Sequence, residues 1–542
     1  MEGRTTRRRS FLPAAGLGLA ILLAPVAAVG QGSGGTARWS FSGLNELTVE
    51  HFEVDGDADA SPFRFPGTFV TDRLTLNVER ESLGRKLVVG VEVLAADNPY
   101  FAHDGVVAQL LRFELEDGST AMPYRIAGGD VLADFSRRVL QSNVKGASFE
   151  LQPQSSAVDQ SILVVSGSGA RSWDDAFQDN GDSLYYHGAS YLLAAPSGNA
   201  MLVANYLNTR QSVVTGSAED TIAADNNIGS LYGETSIAGF LLEGEVAFLG
   251  AELAAEDVSD RSFYGQLSRN GGPLAWRLRY EDNGADYRPA GAVGILADRR
   301  IGELHARYTL GRRGTLRGRI QWIETEYESD DPRRADLFGL SYDGRLIRRR
   351  PTLQVRLSSD VNRGRSETGL FDQLYTGFGI DLRDRFAGDI ELAYRFGYRD
   401  TDDRTGGGFS RSHTDHSLTL GRPFSLSIGG ESVRLGVEGG LTYRRQTQAN
   451  GFDSVSPVID VSASSRRHRF ALHLSFLEQD FALATVGDLS YQTRRLTYSF
   501  TRDRHLFAFE LGQELRRPSM REKTDSLRAA FRYRLSFGGG MR

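Results

Sequence analysis

The chain has 542 residues, no cysteine, 61 glycines, 10% aromatics and a mean hydropathy of -0.33. That composition excludes a disulfide-stapled fold and, beyond one N-terminal segment, argues against a bundle of membrane-spanning helices. A formal net charge of -6 argues against a nucleic-acid binder built on a basic surface.

The first element is an export signal. Arg4, Arg7, Arg8 and Arg9 form a positive stretch, an apolar run extends from Phe11 to about Val29, and Ala28-Val29-Gly30 places small residues before Gln31. A cleaved signal peptide over residues 1–30 is expected, with an uncleaved anchor as the alternative, followed by a short lead over 31–37. Arg8-Arg9-Ser10-Phe11-Leu12 also resembles a twin-arginine signal. Losing residues 1–30, with four arginines and one glutamate, takes the formal charge from -6 to -9.

From Trp39 to Phe52 onward the chain repeats a period of two. Leu74, Leu76 and Val78 alternate with Thr75, Asn77 and Glu79, as in a strand with one apolar and one polar face. The polar link over 53–69 places Asp55, Asp57 and Asp59 at the spacing of a calcium loop, but Ala60 and Pro66 stand where a glycine and a bidentate glutamate are needed, so a solvated acidic tip is expected. A second such tip is expected over Glu219–Asn227.

Residues 124–151 carry Gly129-Asp130, then Phe135, then Lys145-Gly146. This pattern resembles the early barrel strands of fimbrial ushers. The resemblance implies a large barrel. It does not imply pilus assembly, because an usher would also bring a mid-barrel plug, periplasmic domains and often a cysteine pair.

Further along, Leu274, Trp276, Leu278 and Tyr280 oppose Arg277, Arg279 and Glu281, and Leu316, Ile320 and Trp322 oppose Arg317, Arg319 and Gln321. Leu392, Tyr394, Phe396 and Tyr398 oppose Arg395 and Arg399, and Phe470, Leu472, Leu474 and Phe476 oppose Arg469 and His473. Tight links are expected at Asn270-Gly271-Gly272, Gly311 to Gly314, Arg383-Asp384-Arg385 and Ser465-Arg466; long polar links at 53–69, 170–184, 209–226, 283–299, 361–374 and 400–411. Within His413-Thr414-Asp415-His416 the two histidines point to opposite faces of a strand, so no metal site is expected.

The chain closes on Phe531, Tyr533, Leu535 and Phe537 in alternation with Arg532, Arg534 and Ser536. This stretch resembles the C-terminal signal by which barrel-insertion machinery recognises outer-membrane barrels; Gly538 to Arg542 reads as a short tail.

One solution accommodates so many two-faced strands with no second layer to cover them: a closed ring with its apolar side in lipid. The expected fold is all-β, a large single-chain transmembrane antiparallel barrel over 38–537 with about 26 strands, in a range of 22 to 26. Even strand number and short turns alternating with long loops fit the outer membrane of a Gram-negative cell. Expected partners are outer-membrane lipid and lipopolysaccharide, the insertion machinery, and an exported polysaccharide or protein. No cofactor, metal or nucleic acid is expected, and no catalytic motif stands out.

Of 63 basic residues 60 are arginine. Arg277, Arg279, Arg317, Arg319, Arg356, Arg395, Arg532 and Arg534 are the candidate lumen residues, either as cross-strand partners of carboxylates or as an anion-selective lining. The reading is a pore or export channel for hydrophilic, and in the second case anionic, solutes or polymer. The alternative is a plugged barrel serving as a surface scaffold. The segments 53–69 and 283–299 are the candidate inward-folding constrictions.

Overall fold

The computed structural model describes residues 37–541 apart from 58–60, 64, 98–104, 155–156, 171, 177–183, 212–224, 254–255, 290–294, 348, 406–409, 448–450, 483–486 and 521. The expected signal peptide, Asp59 and most of the expected acidic tip at 219–227 lie outside the described residues.

Twenty-six antiparallel strands follow one another from β1 (Arg38–Asp55) to β26 (Thr524–Met541), each paired with the next. β26 returns to β1, in register from Trp39↔Met541 to Asp55↔Asp525. The sheet is closed, as expected. Closure matters because a backbone polar group left unpaired in hydrocarbon costs several kcal/mol. Among the described residues no helix is long and apolar enough to cross a membrane; the strands, 10 to 18 residues long, have the span.

Alternation sorts the side chains. On β13 (Leu274–Asn283), Leu274 and Leu278 are about half exposed on one face, while Arg277, Arg279 and Glu281 on the other join ion pairs. On β15 (Gly314–Thr325), Ile320 stands out and Arg319 pairs with Glu303 on β14 (Arg299–Thr309). The same outward apolar row continues through Phe338, Phe378, Leu418 and Phe509. It is the surface lipid must cover.

The links differ between the two edges. Tight turns at 83–84, 238–239, 429–430 and 503–504 share one edge, and long links such as 56–66, 169–183 and 284–298 share the other. At 429–430 both residues are glycines with φ of 59° and 83°, the conformation a two-residue hairpin with the native strand twist requires.

Three boundaries differ from the sequence reading. Arg383-Asp384-Arg385 lies inside β18 (Asp372–Phe386), and the chain turns at 387–389, where Gly388 and Asp389 have φ of 78° and 59°. Arg385 pairs across the turn with Glu391, so these charges flank the turn and do not form it. The glycines read as a tail, Gly538 to Gly540, belong to β26 and pair with Ser42, Phe41 and Ser40. Having no side chain, they extend the seam without needing a place on either face. The long link expected at 361–374 shrinks to 367–371 because Arg363 grips Asp372 through two bonds of 3.1 and 2.9 Å and carries the ladder on.

At the seam Phe537 faces Gly43 and its ring lies 5.7 Å from that of Phe41; a Cβ on Gly43 would collide with the Phe537 ring. Gly43→Val is therefore expected to destabilise closure by about 1–3 kcal/mol. Gly43→Val with Phe537→Ala should recover part of the loss. Electrophoretic mobility of unheated against heated protein measures the folded fraction; equal loss in both variants would refute the contact.

Candidate functional site

The site begins where the wall is interrupted. β4 (Gly105–Asp117) and β5 (Tyr124–Ser136) pair only from Asp117↔Tyr124 to Arg112↔Gly129. β6 (Leu140–Leu151) and β7 (Asp159–Ser168) pair only from Leu151↔Ile162 to Lys145↔Ser168. Yet β5 and β6 stay paired with each other as far as Ser136↔Leu140. Beyond Asp130 and Lys145 the β5–β6 hairpin is thus attached to neither neighbour. It leaves the wall.

Gly129 permits the departure: its φ is 99°, and a Cβ there would run into the Leu111 carbonyl. Where the ladder stops, side chains take over the backbone hydrogen bonds. Asp130 accepts from the Leu111 N–H at 2.8 Å, the Trp173 indole at 2.9 Å and the Lys145 ammonium at 2.6 Å, while Lys145 also donates to the Gln109 carbonyl at 3.0 Å. Trp173 comes from α1 (Trp173–Ala176), a single turn that packs on β4 beside the gap. One carboxylate and one ammonium, both shielded from water, thereby satisfy strand groups that lost their partner.

Inside, the hairpin lies across the wall. Phe135, Val139 and Leu140 pack with Val165, Leu207, Ile228 and Leu249, which come from β7, β9 (Ala200–Gln211), β10 (Asp225–Ile237) and β11 (Phe240–Leu253). Gly188 on β8 (Leu184–Ala194) leaves the space that the Phe135 ring fills. Elsewhere this inner face carries charge; beneath the hairpin it is apolar.

The loop 137–139 is pinned by Arg138, which is 3% exposed. Its Nε donates to Ser262 Oγ at 2.8 Å, its two terminal nitrogens lie 3.8 Å from Glu245 and 3.4 Å from Glu281, and it stacks 4.8 Å over the Tyr264 ring. Its carbonyl accepts the Tyr287 hydroxyl at 2.9 Å. Tyr287 is wholly buried and belongs to the link 284–298. Of the two expected constrictions, 283–299 reaches the hairpin, and 53–69 packs near the seam, where Ser61 bonds Ser526 at 2.7 Å. The principal inward fold, 130–145, is neither of the two expected constrictions.

The docked arrangement is not fully satisfied. Asn226 and Thr209 are wholly buried beside Ile228 and Leu207, and neither the Asn226 amide nor the Thr209 hydroxyl has a hydrogen-bond partner among the described residues. Each such group costs about 1–3 kcal/mol. At one end Asp130 and Lys145 hold the hairpin by hydrogen bonds; at the other Arg138 is held by charge, by Ser262 and by Tyr287, while its Nη2 and Glu245 Oε1 are buried without a hydrogen-bond partner among the described residues.

Six of the eight candidate arginines join ion pairs. Arg277 and Arg319 share Glu303 at 2.8 and 3.0 Å, Arg279 holds Glu281, Arg356 holds Asp343 at 2.8 Å, Arg395 holds Asp381 at 2.7 Å and Arg532 lies 3.8 Å from Glu46. Arg317 and Arg534 have no ion pair among the described residues. His413 and His416 lie on β20 (Arg411–Ile428); His413 is 4.0 Å from Asp415, and His416 bonds the Tyr394 hydroxyl at 3.0 Å. No group of three metal-ligating side chains occurs among the described residues.

No protein-family model matches the chain, and no curated protein matches it. Among solved structures it is similar to the translocation pore of the P pilus usher PapC, with 11% identity over 93% of this chain and 99% of that one and a TM-score of 0.28. It is similar to Pseudomonas aeruginosa OccK7, with 10% identity over 92% and 99% and a TM-score of 0.25. A Rh. blastica porin mutant aligns with 12% identity over 66% and 94%, with a TM-score of 0.22. At identities and TM-scores this low the likenesses carry no argument; the barrel rests on its own strand pairing.

Proposed function

We propose that the chain is an outer-membrane pore of a Gram-negative cell, exported behind a cleaved signal peptide, that passes hydrophilic solutes and is throttled by the β5–β6 hairpin. The observation that carries this reading is the hairpin itself, folded inward over an apolar stretch of an inner face that carries many ion pairs elsewhere. A ring of 26 strands is too wide for wall side chains to fill, so what crosses its lumen sets the passage. Phe531, Tyr533, Leu535 and Phe537 serve as the insertion signal in this reading, and the eight arginines as lumen wall.

The pairing of most of those arginines with carboxylates favours weak charge selectivity over a purely anion-selective bore. Single-channel conductance of the refolded mature chain, with reversal potentials under a salt gradient, tests this. Steady conductance of modest size with near-zero reversal potential is expected. A correctly inserted but silent barrel would sink the pore and favour a plugged scaffold; strong anion preference would restore the arginine-selective version.

A further inference from the structure

We propose that the short-turn edge of β14, β15 and β16 (Arg333–Gly344) is a docking site for anionic phospholipid headgroups. The proposal rests on the barrel lying in a bilayer. The turns 310–313 and 345–353 are tied together there, the Arg345 N–H donating to the Arg313 carbonyl at 2.8 Å. Arg312, Arg313, Arg345 and Arg349 are exposed, and none has an ion pair among the described residues. This sets them apart from strand arginines such as Arg319, Arg334 and Arg356, which lie beside a carboxylate.

The same two turns present aliphatic side chains to the outside. Leu346 is 58% and Ile347 48% exposed, directly against the arginines in sequence, and Leu310 is 40% exposed in the neighbouring turn. Below them the outer face continues with Tyr308, and with Tyr342, whose hydroxyl donates to the Arg313 carbonyl at 2.8 Å. Aliphatics and tyrosines topped by free guanidinium groups match the depth profile of a lipid: acyl chain, interface, phosphate. A soluble anion would use the arginines but not the aliphatics. At the opposite edge β15 and β16 are joined by 326–332, which carries Glu326, Glu328, Asp330 and Asp331. The basic patch is therefore local to one edge and does not reflect a general surplus of arginine in these strands.

The test compares the refolded chain in nanodiscs of phosphatidylcholine with and without phosphatidylglycerol, reading by native mass spectrometry the lipids retained after release. Preferential retention of phosphatidylglycerol is expected. An arginine near an anionic surface contributes about fivefold, so Arg312→Gln, Arg313→Gln, Arg345→Gln and Arg349→Gln together should lower the preference by up to roughly 600-fold. Leu346→Ser with Ile347→Ser should weaken it while leaving the charge untouched. Unchanged preference in the arginine variant would overturn the site. Equal retention of inorganic phosphate, or indifference to the aliphatic pair, would overturn a lipid as the occupant. Failure to enter phosphatidylcholine nanodiscs at all would instead count against the membrane barrel.

Discussion

Arg138→Ala is expected to free the β5–β6 hairpin and convert a restricted barrel into one of several-fold higher conductance. The guanidinium stands between Glu245 and Glu281, and all three side chains are at most 6% exposed. Removing it leaves Glu245 without its cation away from water and Glu281 with Arg279 alone. Breaking a buried pair by deleting one partner costs about 3–5 kcal/mol, which shifts the balance between docked and released hairpin by roughly two to four orders of magnitude. The apolar contacts of Phe135 and Leu140 remain, but Asn226 and Thr209, unsatisfied beneath them, gain water when the hairpin leaves.

The electrostatic origin is separable from simple truncation. Glu245→Gln with Glu281→Gln in the Arg138→Ala background removes the carboxylate charges that Arg138 had balanced and should bring conductance part of the way back, a non-additivity expected of groups in contact. Conductance unchanged by Arg138→Ala would mean that the hairpin does not restrict the passage, or that its apolar face alone holds it.

Asp130→Ala acts at the other end of the hairpin and is expected to lower barrel stability by about 3–5 kcal/mol. Lys145 is 6% exposed, and Asp130 is its carboxylate partner. The same substitution strips the acceptor from the Leu111 N–H and from the Trp173 indole, but these losses overlap and are not summed. The urea midpoint of the inserted barrel should fall. Trp173 fluorescence, isolated by comparison with Trp173→Phe, should shift to longer wavelength as α1 loosens over the gap. Asp130→Asn, which keeps acceptors but loses charge, should fall between. A midpoint and spectrum equal to wild type would show that the gap is closed by packing alone.

The barrel was legible in the sequence because its determinant is local. A period of two, sustained from Leu74-Thr75-Leu76 to Phe531-Arg532-Tyr533, assigns each side chain to a face whatever its distant neighbours are, and a bilayer is the one cover for so many apolar faces. The inward hairpin left a fainter mark. Ile162-Leu163-Val164-Val165 and Val246-Ala247-Phe248-Leu249 are apolar on both faces, which a wall strand between lipid and water would not be. Those runs were the signal that something dry lies against the inside, although they do not say what.

By itself, then, the sequence determined the strand period, the two-faced wall, a closed ring of about 26 strands and the closing strand; the pairing fixes the number at 26. Only the tertiary structure decided that β5 and β6 leave the wall, that Asp130 and Lys145 stand in for the lost ladder, and that Arg138 reaches Glu245 and Glu281 more than a hundred residues on. The physical reason is range. Alternation is set between neighbours along the chain, whereas a buried arginine takes its partners from whichever strands closure of the ring places beside it.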